Sequence, residues 1–233
     1  MDFKTKHVSG VCECGQKFSG VIPEFAKMIM CDPCALVFQK KRDLERMAGC
    51  LRESADSCGI PKKYRIWDEA KAKEVGSDKL LIWLRSQEIN SIWIGGTNGI
   101  GKTHTALYRA FELLHEENIH PYCVRSSAWL RNIVTGRTKD RSDTEKQYKR
   151  AIECKLLIMD DLGKERLTEP RAELLYDIID ERDRRDGSVW ITSNFSGQSL
   201  AERLNSSGEG AHEYGHAIIK RLKRMITSER IWR

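Results

Sequence analysis

Ser91-Ile92-Trp93-Ile94-Gly95-Gly96-Thr97-Asn98-Gly99-Ile100-Gly101-Lys102-Thr103 carries the reading on which the fold turns. An apolar run of strand type stops at two glycines, and Gly96 to Thr103 fits the phosphate-loop pattern G-x-x-x-x-G-K-[ST]. From His104 to Asn118, Leu107, Ala110, Phe111 and Leu114 recur at the spacing of one helix face. Glycines at 96, 99 and 101 let the backbone turn tightly and aim its N–H groups at a phosphate. The helix that starts there turns its positive end toward the same anion. In this pattern Lys102 reaches the β- and γ-phosphates of a nucleotide, and the Thr103 hydroxyl binds Mg²⁺. A chance glycine-rich turn would lack the strand before and the amphipathic helix after.

Further along, Leu156-Leu157-Ile158-Met159 is an apolar run of buried-strand type that ends in Asp160 and Asp161. Ligands of parallel sheets bind at the carboxyl ends of strands. Asp160 is therefore the natural Mg²⁺ partner, and Asp161 is placed to orient or deprotonate an attacking water. The other reading is a helix N-cap pair, which Asp also favours. Tyr122-Cys123-Val124 and Val189-Trp190-Ile191-Thr192 are further strands, and a helix opens at Thr168-Glu169-Pro170 and closes at Gly187. Strands alternating with helices predict an α/β fold, a parallel sheet with helices on both faces. Asn194 closes the last of these strands. Its amide can face a γ-phosphate, though by spacing alone a turn or cap residue is the commoner reading.

The chain has 233 residues, 40% apolar and 32% charged, with a formal charge of +6. These values describe a globular chain with a core. No apolar run is long enough for a membrane span, and Met1-Asp2-Phe3-Lys4 opens no signal-peptide core, so a reducing cytoplasm is the expected compartment. There, eight cysteines do not suggest a disulfide framework. Cys12-Glu13-Cys14-Gly15 and Cys31-Asp32-Pro33-Cys34 pair four of them in the manner of a tetrahedral Zn²⁺ site, with His7 as a substitute ligand and ordinary free cysteines as the alternative. Gly59-Ile60-Pro61 marks a boundary. It separates an N-terminal zinc-binding module with a charged linker helix (1–58) from the nucleotide-binding domain (59–233). Between Arg125 and Arg150, basic residues including Arg137, Lys139 and Arg141 are interleaved with Trp129 and Tyr148. That stretch reads either as a surface for nucleic-acid phosphates and bases or as a solvated helix with Trp129 in the core.

Taken in order, Gly101-Lys102-Thr103-His104, Leu157 to Glu165, Glu173 to Asp180 and Ile191-Thr192-Ser193-Asn194-Phe195 form a series. It resembles the DnaC-type replicative helicase loaders of the AAA+ class over about residues 59–225. The IstB-type transposition helper ATPases share most of it. The resemblance implies a P-loop AAA+ core with a five-stranded parallel sheet and no C-terminal lid. It implies ATP and Mg²⁺ in a cleft between subunits, held by the loop from Gly96 through Thr97, Asn98, Gly99, Ile100, Gly101, Lys102 and Thr103 to His104. It also implies a sensor at Asn194, a base contact near Tyr64, and an arginine supplied to a neighbouring subunit, Arg221 in Lys220-Arg221-Leu222 or else Arg224. Asp161 departs from the Glu common at that position, which implies slow turnover. The implied partners are a DnaB-type hexameric helicase gripped by the N-terminal module, single-stranded DNA, and further copies of the chain through the ATP interface. The implied setting is a bacterial cytoplasm, with the chain encoded by host or phage. The rival expectations are a transposition helper that wraps duplex DNA and a nucleotide-gated DNA-binding adaptor without appreciable hydrolysis.

Overall fold

The structure, a computed structural model, describes residues 5–12, 14–23, 32–136, 141–164, 168–205 and 209–232. The chain packs as two units, Met1–Glu53 and Ser54–Arg233. The first holds an antiparallel hairpin, β1 (Thr5–Val11) and β2 (Lys17–Pro23), paired from Thr5↔Pro23 to Val11↔Lys17. The turn between them closes through Cys12 N–H to Gln16 O (2.9 Å) and Gly15 N–H to Cys12 O (2.7 Å). Gly15 sits at φ +86°, a conformation open to glycine at little cost. The helix α1 (Asp32–Ser57) follows. Its last turn counts with the second unit, where Ala55 and Cys58 are fully buried, so the units divide a few residues before the glycine break at 59.

The second unit runs through a short 3₁₀ turn (Lys62–Tyr64), α2 (Glu69–Val75), α3 (Ser77–Arg85), β3 (Ser91–Gly96), α4 (Lys102–Glu117), β4 (Tyr122–Arg125), α5 (Ser126–Val134) and α6 (Arg141–Glu153). It continues with β5 (Leu156–Asp160), α7 (Glu169–Arg184), β6 (Ser188–Ser193), α8 (Gly197–Asn205), α9 (Glu209–Met225) and β7 (Ile226–Trp232). The strands form one parallel five-stranded sheet in the order β4-β5-β6-β3-β7. Leu156 to Met159 are fully buried, as a central strand covered by helices on both faces requires. Trp129 belongs to the core, 7% exposed and edge-on to Tyr122 at 6.2 Å. Of the two readings of the 125–150 stretch, the core assignment holds for that ring. β7 was not legible as a strand, because its pairing with β3 is supplied from far along the chain.

Polar staples fix the strand that carries the phosphate loop. Ser188 Oγ donates to Ile89 O (2.6 Å), Trp190 Nε1 to Asn90 O (2.9 Å), and the Val189 N–H to Ser91 Oγ (3.0 Å), which locks β6 against the approach to β3. Glu112 on α4 is buried between Arg85 of α3 and Arg109, which ties the loop's helix to α3. Arg182 is wholly buried and donates to Ala151 O, Cys154 O and Ser188 O, so carbonyls at the end of α6 and the start of β6 share one cation. Among the described residues, no helix is long and apolar enough to cross a membrane.

Candidate nucleotide site and cysteine cluster

β3 delivers the chain to Gly96, and the loop turns into α4 at Lys102. Gly99 and Gly101 adopt φ +87° and +82°, and a Cβ on Gly101 would stand 2.6 Å from Ser77 Cβ, so both backbone and space call for glycine there. Lys102 is 6% exposed. Its ammonium donates to Gly96 O (2.8 Å), Thr97 O (2.7 Å) and Asn194 Oδ1 (2.9 Å), which uses all three of its protons. Burial pushes its pKa below the ordinary lysine value.

The paired acids lie across from it. Asp160 Oδ1 accepts from Thr103 Oγ1 and from Thr192 Oγ1, each at 2.6 Å. Asp161 takes a left-handed backbone, φ +58°, and its N–H donates to Thr192 Oγ1 (2.9 Å). Its carboxylate faces Lys164 Nζ at 2.9 Å and Arg125 at 4.0 Å. A cavity of about 290 Å³ is lined by Asn98, Gly99, Lys102, Asp161, Lys164 and Asn194. A second, of about 340 Å³, runs beside it under Pro61, Leu107, Val124 and Arg125, and both are bordered by Tyr64, Thr103 and Asp161. His104 bonds Ile66 O through Nε2 (2.9 Å) and meets the Tyr64 ring at 5.6 Å, so the linker after residue 58 is pinned over the start of α4.

Lys102, Thr103, Asp160, Asp161 and Asn194, separated by up to 92 positions, thus converge at the carboxyl ends of β3, β5 and β6. The donor set suits a magnesium–triphosphate: a lysine and a helix start for the phosphates, a hydroxyl and a carboxylate for the metal. Arg221 and Arg224 stand elsewhere, on α9, where they pair with Asp180 and Asp183 of α7; Arg221 also lies 4.5 Å from the centre of the Tyr176 ring. Arg137, Lys139 and Glu165 fall outside the described residues. Thr192 and Lys164 carry no role in the motifs read from the sequence, and Arg125, there part of the basic stretch, lies beside Asp161. For Thr192 a signal was available, since it precedes Asn194 by two positions and so shares its side of the strand.

In the N-terminal unit, the sulfur atoms of Cys12, Cys14 and Cys34 lie within 4.8 Å of one another. A tetrahedral zinc with bonds of about 2.3 Å sets its sulfurs about 3.8 Å apart, so small side-chain rotations satisfy it. The hairpin turn presents Cys12 and Cys14, and the first turn of α1 presents Cys34. Cys31 and the side chain of His7 lie outside the described set.

A phosphate loop at the end of β3, an acid pair at the end of β5 and the polar end of β6 between them define a P-loop nucleotide-binding domain of AAA+ type. More narrowly, the chain belongs to the family of IstB-like ATP binding proteins, whose profile matches residues 39–226. Solved structures share the fold. The DnaC helicase loader superposes with a TM-score of 0.55 at 19% identity, over 74% of this chain and 100% of that one. DnaI gives 0.52 at 21% identity, over 66% and 80%. Domain III of the Thermotoga maritima replication initiation protein DnaA gives 0.51 at 13% identity, over 73% and 68%. No curated protein matches the chain significantly.

Proposed function

We propose that the chain hydrolyses ATP to load a DnaB-type hexameric helicase onto single-stranded DNA. The observation that carries this reading is the convergence of Lys102, Thr103, Asp160, Asp161 and Asn194 at one end of the sheet. The family match supports ATP as the ligand, and the fold shared with DnaC and DnaI supports the loading role. Lys102 neutralises the β- and γ-phosphates. Thr103 and Asp160 would hold Mg²⁺, which would supply charge neutralisation at the phosphates. Asp161 orients the attacking water and accepts its proton, and Asn194 reports the γ-phosphate to β6. Arg221 serves the site of a neighbouring subunit in an assembly formed through the ATP interface. The cluster of Cys12, Cys14 and Cys34 would hold a structural zinc, and that N-terminal unit grips the helicase. The basic residues between Arg125 and Arg150 face DNA phosphates.

The test is to mix the protein with a DnaB-type helicase and ATP and to look for a defined complex that transfers the ring to circular single-stranded DNA. Asp161→Asn should bind ATP within about threefold of wild type and lose about 10²–10⁴-fold in single-turnover hydrolysis, the range a general base contributes. Equal hydrolysis by the two proteins would remove Asp161 from the mechanism. A second reading is favoured by the family match itself: an IstB-type helper that recruits a transposase on duplex DNA. Capture of a transposase in place of the helicase, in parallel pull-downs, would select it.

The buried lysine adds a pH dependence. Phosphates bind the ammonium and not the neutral amine. Because burial lowers the Lys102 pKa, ATP affinity should be full below that lowered value and decline as pH rises through it, sooner than an exposed lysine would allow. Fluorescent-ATP titrations from about pH 7 to pH 10 measure this, and Lys102→Arg, which stays charged throughout, should flatten the curve.

A further inference from the structure

Thr192 is completely buried on β6, and its hydroxyl is engaged twice at the acid pair. It accepts the Asp161 N–H at 2.9 Å and donates to Asp160 Oδ1 at 2.6 Å. The direction is fixed by chemistry. A backbone N–H is only a donor, so the single hydroxyl proton of Thr192 is left for Asp160. Asp160 Oδ1 is then held from two sides, by Thr103 on α4 and by Thr192 on β6. Asp161 gains the one side-chain partner of its backbone N–H at a left-handed φ of +58°, a conformation that costs a residue with a Cβ some free energy and needs an outside contact to hold it.

The alternation of β6 extends the arrangement. Ser193 points the other way and donates to Leu162 O at 2.7 Å. Asn194, two positions on, returns to the side of Thr192 and accepts from the Lys102 ammonium at 2.9 Å. One strand therefore touches the phosphate-loop lysine at its tip and both acids one step inward.

We propose that Thr192 is a positioning residue for ATP hydrolysis: its hydroxyl holds the Asp160 carboxylate against Thr103, where Mg²⁺ is to be bound, and fixes the backbone turn that aims Asp161 at the attacking water. It acts through the two aspartates and does not itself meet the nucleotide. The inference rests on the reading of this site as an ATPase centre.

The full-length protein tests it through the magnesium dependence of single-turnover hydrolysis. Thr192→Val keeps the shape and removes the hydroxyl. The half-saturating Mg²⁺ concentration should rise about tenfold and the hydrolysis rate should fall about tenfold or more, the scale set by losing a hydrogen bond to a charged group. ATP affinity measured in EDTA should stay within about twofold, because the lysine and loop contacts remain. Thr192→Ser should restore both magnesium dependence and rate to within about threefold of wild type. Should the valine variant melt early, Thr192→Ala against Thr192→Ser makes the same comparison. An unaltered magnesium dependence and rate in Thr192→Val, or equal impairment of the serine and valine variants, would overturn the proposal and leave Thr192 as core packing. A wild type that binds no ATP would instead bring down the nucleotide-site reading, and this inference with it.

Discussion

Lys102→Met is expected to weaken ATP binding by about 10²–10⁴-fold. The lysine offers charge-assisted hydrogen bonds, each contributing about 1.5–3 kcal/mol. Two such bonds to phosphate come to roughly 3–6 kcal/mol, and each 1.4 kcal/mol is about tenfold in affinity. Methionine keeps the length of the side chain and loses the ammonium that gathers Gly96 O, Thr97 O and Asn194 Oδ1. Fluorescent-nucleotide titration gives the affinity, and circular dichroism melting shows whether the second unit still folds. A folded variant within about threefold of wild type would mean that the loop does not grasp phosphate.

Removal of the metal is expected to unfold the first unit almost completely and to spare the second. A unit of residues 1–53 buries so small a share of its surface that its stability is marginal without a further support. A structural zinc supplies about 10–16 kcal/mol of apparent binding free energy in small domains near neutral pH. Metal analysis should find one zinc per chain, and a strong chelator or Cys12→Ser should release it. Proteolysis should then cut within residues 1–53 while ATP affinity, set by residues 54–233, holds. A first unit that stays protected without metal would show the three thiols to be packing residues.

The phosphate loop and the acid pair were legible because each is a short run of residues whose chemistry is local. Gly101 needs a left-handed backbone and a close approach to Ser77, and Asp160 needs only to end a buried strand. Arg221 was not legible in the same way. Its partner Asp180 sits on another helix, and nothing in Lys220-Arg221-Leu222 tells a residue paired within the subunit from a solvated one. The β1–β2 hairpin also escaped, since Lys17-Phe18-Ser19-Gly20-Val21 has too few apolar residues to show alternation. Trp129 illustrates the opposite hazard: an aromatic ring among basic residues suggests stacking on bases, yet burial against Tyr122 claims it for the interior.

The late arrival of β7 bears on how the protein is made. Ser91 and Thr227, which meet where β3 lies along β7, are 136 positions apart. On the ribosome, the strand that leads into the phosphate loop emerges with both flanks bare; β6 covers one of them only from Ser188, and the other waits for β7 at Ile226. Pairing over such a span is slow, and a bare flank invites association with other chains. A message truncated before Ile226 would therefore yield aggregates, not a shortened nucleotide-binding domain, and capacity for nucleotide would arise only once β7 has been made.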